Sequence, residues 1–445
     1  MNVSTNVAYR IYAVQQCKKA IAFNTRTEQY MFLDGLSAEL LELILKDAES
    51  ELQGWLEENQ ISNDDVVAFK ETMESFGFWS EVMRCHAVMS ADSNSKPDQN
   101  QYALNVFQNF LHENAMYYMF HLDLTNRCNE RCVHCYHPFE CYDYSSELTL
   151  DEVKSLIDTV YDLGVFLITL SGGECLLRKD FFEILSYISE KGMMVNIFTN
   201  GLLLTEENVQ KLKNYRVKLV SISLYGDTAE VHDRITTIPG SYQRTMDSIN
   251  LLKAYQIPFE LKCVVLAENI ARVEHTRILA DQLTNGRDCR IDFSLCGKID
   301  GDCTNFSHRA SKEDIRKVFY ANPDRYFSPK DFIPKNPDDT PCGAGKYGLY
   351  CSADGNIYPC VSFRLHLCTW RELADISTNP VLTAWRRTKI ADFTDCFKHD
   401  YCNYCTEQCA GNNLIENGDH LDSKGISNCE RAMIISEWFQ NHSVN

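Results

Sequence analysis

Apolar and polar positions alternate differently in four stretches of the chain. Over residues 1–80, short apolar segments at 9–14, 20–23 and 30–33 give way to a helical spacing. Ser62 has the character of an N-cap, with Asp65 three residues on in a box-like arrangement. Val66, Phe69, Met73 and Phe76 then follow at 3–4–3 spacing, one face of a helix. A small sheet followed by helices is predicted. Residues 90–101, SADSNSKPDQNQ, are polar, hold a proline and lack an apolar period, so 81–115 reads as a linker with a short helix at 103–111. From 116 to 300 a strand–helix rhythm sets in. Strands are predicted at 117–124, 166–170, 195–199, 219–224, 261–266 and 291–295, with helices between them, for example at 150–163 and 242–255. Strands alternating with helices imply parallel βαβ units. Six units give an α/β fold, a partial (β/α)6 barrel, with its ligand site at the C-terminal ends of the strands. A proline-bearing connection within 301–340 leads to a region, 341–445, that is rich in cysteine and short of regular periodicity.

Composition narrows the function classes. The 445 residues are 44% apolar and 24% charged, an ordinary globular balance. At roughly 100–200 residues per domain, two to four domains are expected. Forty-three cationic side chains against 62 anionic ones give a net charge of −19. That excludes a nucleic-acid partner and docking on an anionic membrane, both of which need a basic surface. The N-terminus lacks the pattern of a signal peptide, and no apolar run approaches the roughly 20 residues of a transmembrane helix, so a cytoplasmic location is expected. Twenty cysteines change the picture most. In a chain expected in a reducing compartment, clustered cysteines point to metal ligands or catalytic groups rather than disulfides.

The segment LTNRCNERCVHCYH places Cys128, Cys132 and Cys135 at C-x3-C-x2-C, directly after the first expected barrel strand. Three thiolates can cap three irons of one cube, whereas a [4Fe-4S] cluster normally takes four. One iron would stay open for a small-molecule ligand. A zinc knuckle, with His134 or His137 as fourth ligand, is the alternative on spacing alone.

C-x3-C-x2-C followed by an aromatic residue, Tyr136, resembles the cluster motif of the radical SAM superfamily. Further matches fall in the family's order: SGGE with Gly172, Gly173 and Glu174; TNG with Thr199 and Asn200; SISLYG with Ser223; and HDRIT with Arg234. The resemblance implies that S-adenosyl-L-methionine binds the open iron and is cleaved to a 5′-deoxyadenosyl radical. It also implies that Glu174 contacts the amino group, that Thr199, Asn200 and Ser223 face the cofactor, and that Arg234 pairs with the methionine carboxylate. Taken singly, the glycine pair and TNG are also plain strand-to-helix turn chemistry.

The order Cys342, Cys351, Gly355, Cys360, then Cys396, Cys402, Cys405, Cys409, and finally Cys429, resembles the SPASM domain, which carries two auxiliary [4Fe-4S] clusters. The second block runs C-x5-C-x2-C-x3-C, with the family's first two gaps exchanged. The resemblance implies that Cys342, Cys360 and Cys409 serve the first auxiliary cluster, with Cys351 as fourth ligand or else as a structural cysteine beside an open iron. Cys396, Cys402, Cys405 and Cys429 then serve the second. Two zinc ribbons are the alternative. Cys17, Cys85, Cys141, Cys175, Cys263, Cys289, Cys296, Cys303 and Cys368 read as small apolar side chains.

The first 80 residues, with AIAFNTRTEQYMFLDGLSAELLELIL, resemble the PqqD-like RiPP recognition element, a winged-helix-like α+β module that binds a precursor's leader peptide as an added strand. Residues 29–33 with the face of Val66, Phe69 and Met73 are the expected groove. Together these resemblances imply a peptide maturase that installs a thioether or carbon–carbon crosslink. Its partners would be a precursor peptide and an electron donor such as flavodoxin or ferredoxin. Sulfatase-maturase-like oxidation of a Ser or Cys, and a non-catalytic zinc protein, are the other readings.

Overall fold

The computed structural model describes the chain apart from residues 1–2, 5, 15–16, 80–96, 138–142, 285, 288, 299–300, 328–335, 406–408, 425–426 and 443–445. Cys85 and Cys141, and the side chain of Cys17, lie outside the described residues.

The N-terminal segments form an antiparallel sheet of β1 (Val7–Val14), β2 (Cys17–Asn24) and β3 (Gln29–Asp34), in that order. Helices Leu36–Lys46, Glu49–Glu58 and Asn63–Ser75 follow. The third starts on the expected reciprocal cap: the Asp65 N–H donates to Ser62 Oγ at 3.2 Å, and the Ser62 N–H donates to the Asp65 carboxylate at 2.9 Å. Met73 is fully buried against Val7, Ala22, Leu41 and Phe78, and Val66 packs on Leu40, Ile44 and Leu56. The face expected to line a peptide groove is thus the module's own core.

Helix Pro97–Glu113 starts inside the polar run read as linker, earlier than the expected 103. Proline suits a first helical turn because its missing N–H would have no partner there. Farther along, Phe107 and Leu111 are buried among Tyr12, Ile21, Phe166 and Met194, filling the space between the N-terminal sheet and the barrel.

Six parallel strands then neighbour one another in chain order: β4 (Met119–Thr125), β5 (Leu167–Gly172), β6 (Met194–Thr199), β7 (Val217–Ser223), β8 (Phe259–Val264) and β9 (Arg290–Asp292). Helices Leu150–Asp162, Phe181–Glu190, Glu206–Leu212, Ser241–Ala254 and Val273–Thr284 lie between them. Leu122, Leu170, Ile197, Ile222 and Leu261 join Leu156, Ile157, Leu185 and Leu252 in one buried core. The last strand is three residues long, where 291–295 was expected.

The cysteine-rich region departs further from expectation. It supplies β10 (Gly348–Cys351), β11 (Asn356–Tyr358) and β12 (Cys368–Thr369). β10 pairs parallel to β4, from Gly348 opposite Met119 to Cys351 opposite Leu122, and β11 and β12 add antiparallel. The result is one nine-stranded sheet, β12-β11-β10-β4-β5-β6-β7-β8-β9. Strands this short show no alternation in sequence, so only the pairing reveals them.

The N-terminal module docks on loops that precede β5, β6 and β7. The Arg10 guanidinium donates to the Val165 carbonyl at 2.8 Å and lies 3.7 Å from the Tyr161 ring centre. The Tyr12 hydroxyl donates to the Gly164 carbonyl, the Tyr9 N–H to the Gly192 carbonyl, and Arg216 Nε to the Val7 carbonyl. No helix among the described residues is long and apolar enough to cross a membrane.

Charged hydrogen bonds to buried carbonyls contribute about 1.5–3 kcal/mol each. Arg10→Ala should therefore weaken docking by about 2–3 kcal/mol. Hydrogen exchange should quicken in β1–β3 and stay unchanged in β5 and β6.

Candidate functional site

The loop after β4 lies flat across neighbouring strand ends, and glycines make that possible. The Gly173 N–H donates to the Thr125 carbonyl, and the Glu174 N–H to the Arg127 carbonyl, both at 2.8 Å. A Cβ at 172 would stand 2.2 Å from the Thr125 carbonyl oxygen, and one at 173 would stand 2.4 Å from that of Arg127. Gly172 also has φ +127°, a conformation side chains resist. The glycine pair therefore has a packing role of its own. On its far side the loop is tied by the Arg131 and Val133 N–H groups to the carbonyls of Thr236 and Ile235.

An open cavity of about 180 Å³ results, and it gathers most of the expected residues: Cys128, Cys132, Cys135, Gly172, Gly173, Thr199, Asn200 and Ser223. Glu130, His134, Tyr136, His137, Phe198 and Tyr225 complete the wall. Tyr136 follows the motif directly. Glu130 and His134 sit inside it, and that position was the one available signal for them.

Two of the expected residues do not line the cavity. The Glu174 carboxylate is fully buried behind the wall. It accepts the Thr199 hydroxyl at 2.9–3.0 Å and the N–H groups of Asn200 and Leu176 at 2.8 and 3.0 Å. It joins the end of β5 to the end of β6. Arg234 is exposed, and its guanidinium donates to the Glu268 carbonyl rather than reaching the cavity.

Burial pushes the Cys128 thiol up to about 12, Cys135 up to about 11, and Cys132 well above the usual range. Burial also lifts Glu130 to about 7, while Cys132 Sγ donates to its carboxylate at 3.3 Å. Burial lowers His134 and His137 to about 4, so both imidazoles are neutral at pH 7. Among the described residues no cationic side chain lines the cavity, so three thiolates there call for a cationic inorganic core. A zinc ion would need its ligands within about 2.0–2.3 Å of one point. Among the described residues no three His, Cys, Asp or Glu side chains gather that closely.

The C-terminal cysteines form two further groups. Cys396, Cys402, Cys405 and Cys429 line one small cavity with Tyr401 and Ser423. Cys342, Cys360 and Cys409 form the other: Cys342 and Cys409 both neighbour Cys360, whose thiol burial raises to about 11. Cys351 stands apart from both. It is wholly buried on β10, its thiol faces the Ser352 carbonyl at 3.3 Å, and the thiol that acts on it is that of Cys368. Its expected place as fourth ligand is not seen, because the β4–β10 pairing turns it into the apolar core. Cys175, Cys263, Cys289 and Cys368 are buried, as expected of small apolar side chains. Cys303 is only half-buried, and so is Cys296. Cys296 neighbours Cys360 and Cys409, and no spacing in the sequence signals it.

Residues 122–280 match the family model described as the radical SAM superfamily. These residues are a radical SAM domain. That family binds a [4Fe-4S] cluster and S-adenosylmethionine, and the three-thiol cavity suits both. The chain is 40% identical over 198 residues to an AdoMet-dependent heme synthase of Methanosarcina barkeri, covering 44% of this chain and 56% of that protein. It is 28% identical over 253 residues to the antilisterial bacteriocin subtilosin biosynthesis protein AlbA of Bacillus subtilis, covering 54% of each. The chain spans about half the length of these curated relatives. Its fold is similar to that of Streptococcus suis SuiB bound to S-adenosylmethionine, with a TM-score of 0.58 at 14% identity, covering 96% of this chain and all of that one.

Buried neutral imidazoles give the radical SAM domain a defined acid response. His232, like His134 and His137, is lowered to about 4 by burial, and its Nδ1 accepts the Tyr225 N–H at 3.2 Å. A depressed pKa on a base contributes stability that is full above the unfolded value of 6.5 and is lost as pH falls toward 4. Denaturation at pH 7 and pH 4.5 should differ by about 2–3 kcal/mol per imidazole. His232→Gln, which keeps an acceptor and cannot charge, should remove one such share of the difference.

Proposed function

We propose that this chain is a radical SAM maturase that installs a crosslink, thioether or carbon–carbon, in a ribosomally made precursor peptide. When bound, the cluster and S-adenosylmethionine supply a 5′-deoxyadenosyl radical that takes a hydrogen atom from the substrate. Cys128, Cys132 and Cys135 hold the cluster at the cavity wall. Gly172, Gly173, Thr199, Asn200 and Ser223 line the nucleoside's seat. Cys396, Cys402, Cys405 and Cys429 hold one auxiliary cluster, and Cys342, Cys360 and Cys409 belong to another. A flavodoxin or ferredoxin in the cytoplasm supplies electrons.

The observation that carries the peptide reading is the N-terminal module on the same barrel. β1 is pinned to the barrel by the Tyr9 N–H on the Gly192 carbonyl, which leaves β3 as the outer edge strand, suited to pairing with an extended leader. The likeness to AlbA, and to the fold of SuiB, which has also been crystallised with its precursor peptide SuiA, favours it. A second reading, a reaction on a haem precursor, is favoured by the 40% identity to a heme synthase.

Anaerobic assay of the reconstituted chain with S-adenosylmethionine and a reductant tests both. Replacing Cys128, Cys132 and Cys135 together with Ala should abolish 5′-deoxyadenosine release. Replacing Cys396 or Cys429 with Ala should leave release intact and stop product formation. A candidate precursor peptide should lose the mass of two hydrogens per crosslink. Turnover of a haem precursor with no change in any peptide would refute the maturase.

A further inference from the structure

The thiol that the sequence left unexplained sits where three chain segments meet. Cys296 lies just past β9. Beside it, a Cβ on Gly297 would stand 2.5 Å from Ile415 Cγ2, and a Cβ on Gly411 would stand 2.1 Å from the Ser362 carbonyl oxygen. These two close approaches clamp residues 296–297, 360–363 and 409–415 together. Inside the clamp, Cys296 Sγ lies 3.2 Å from Ser362 Oγ, and Asn305 Nδ2 donates to the Cys296 carbonyl at 2.8 Å. The half-buried Cys296 thiol neighbours both Cys360 and Cys409, and Cys342 completes the group through Cys360. Cys351 is fully buried in the apolar core around β10.

Burial, the largest influence, and Asp292 hold the Cys296 thiol up, and the Ser362 hydrogen bond and two guanidinium groups act against them. Arg364 and Arg309 both act on its thiol in the direction of thiolate. Arg364 lies 4.4 Å from the Tyr350 ring centre, and its Nη atoms are buried without a hydrogen bond. Arg309 is held by Glu416 at 2.8 Å, and its Nε is likewise buried without a partner. A cube bound by four thiolates carries net negative charge, and buried guanidinium groups beside it offset part of the cost of burying it.

We propose that Cys296 is the fourth protein thiolate of the first auxiliary site, with Cys342, Cys360 and Cys409, and that Cys351 is not a ligand. The proposal rests on the reading of these thiols as iron–sulfur ligands and goes a step beyond it. Four protein thiolates close the cube, so none of its irons is open to a substrate thiol, and the site is suited to passing electrons.

The test starts from the full-length chain with Cys128, Cys132 and Cys135 replaced by Ala, purified anaerobically so that only auxiliary clusters contribute. About eight irons per chain are expected, from two four-iron cubes. Adding Cys296→Ala should reduce the count toward about four, or leave one cube whose paramagnetic resonance spectrum shifts when 2-mercaptoethanol is added. Cys296→Ser, which keeps a weaker oxygen ligand and the packing, should retain iron and change the midpoint potential of one cluster. Cys351→Ala should keep eight irons and the unaltered spectrum. A starting chain without iron overturns the auxiliary-cluster reading and this proposal with it. Eight irons with spectra and potentials unmoved by both Cys296 variants, or loss of a cube from Cys351→Ala, overturns the ligand assignment alone.

Discussion

The parallel pairing of β4 with β10 is the constraint on which the arrangement of this molecule depends. β4 delivers the chain to the loop that carries Cys128, Cys132 and Cys135, and β10 delivers it, nine residues on, to Cys360. Four backbone pairs, from Gly348 opposite Met119 to Cys351 opposite Leu122, hold the two exits side by side. The cysteine-rich region is therefore not a pendant domain whose position relative to the barrel drifts. It is an extension of the same sheet, and Gly348 lets it approach β4 closely, since a Cβ there would stand 2.4 Å from Met119 Cγ. The hydroxyl of Tyr350 on β10 adds a buried hydrogen bond to Asp123 on β4 at 2.6 Å. The spacing between the thiol groups thus follows from hydrogen-bonded register, which is far stiffer than a linker.

Buried thiols impose the second condition. Burial raises a thiol in each group, Cys128, Cys409 and Cys429, to about 12. A bare thiolate in such a place is costly, and a thiolate bound to an iron–sulfur core is not. Near Cys128 the protein contributes an amide donor, Asn200 Nδ2 at 3.8 Å. Near Cys296 it contributes two guanidinium groups. Hydrogen bonds to cluster sulfurs and nearby charge both tune reduction potential, so differently furnished sites on one chain are suited to different steps of electron flow.

What the sequence made legible and what it hid divide along physical lines. C-x3-C-x2-C after a strand, and six strands at regular intervals, are local patterns, and the structure places them where the periodicity predicts. The reciprocal cap at Ser62 is equally local. The face of Val66, Phe69 and Met73 was legible as a helix face, but spacing does not distinguish a face packed on its own module from one that lines a groove. Glu174 was expected at a ligand because SGGE resembles a family motif, and the donors that hold its carboxylate include Thr199 and Asn200, at the end of the next strand. Cys296 is the extreme case: its neighbours are 64 and 113 residues away in sequence, at Cys360 and Cys409. Only the sheet order and the Gly297 and Gly411 contacts bring them together, and no one-dimensional spacing encodes that.

The two ends of the barrel bear on what a substrate must be. The thiol cavity opens at the C-terminal ends of β4 to β7, whereas the N-terminal module packs against loops that precede β5, β6 and β7. Strands of six or seven residues separate the two by about 20 Å, at roughly 3.3 Å per residue. A compact macrocycle in the cavity would touch nothing at the other end, and the module would then contribute only its packing to the barrel. An extended peptide of several residues spans that distance, and tethering it at β3 would raise its effective concentration at the cavity without a new contact there. The reach of such a chain, rather than recognition inside the cavity, would then decide which of its residues meets the nucleoside. That is the economy to be expected of a site walled mainly by the loop that holds the cluster and offering few side chains of its own to read a substrate.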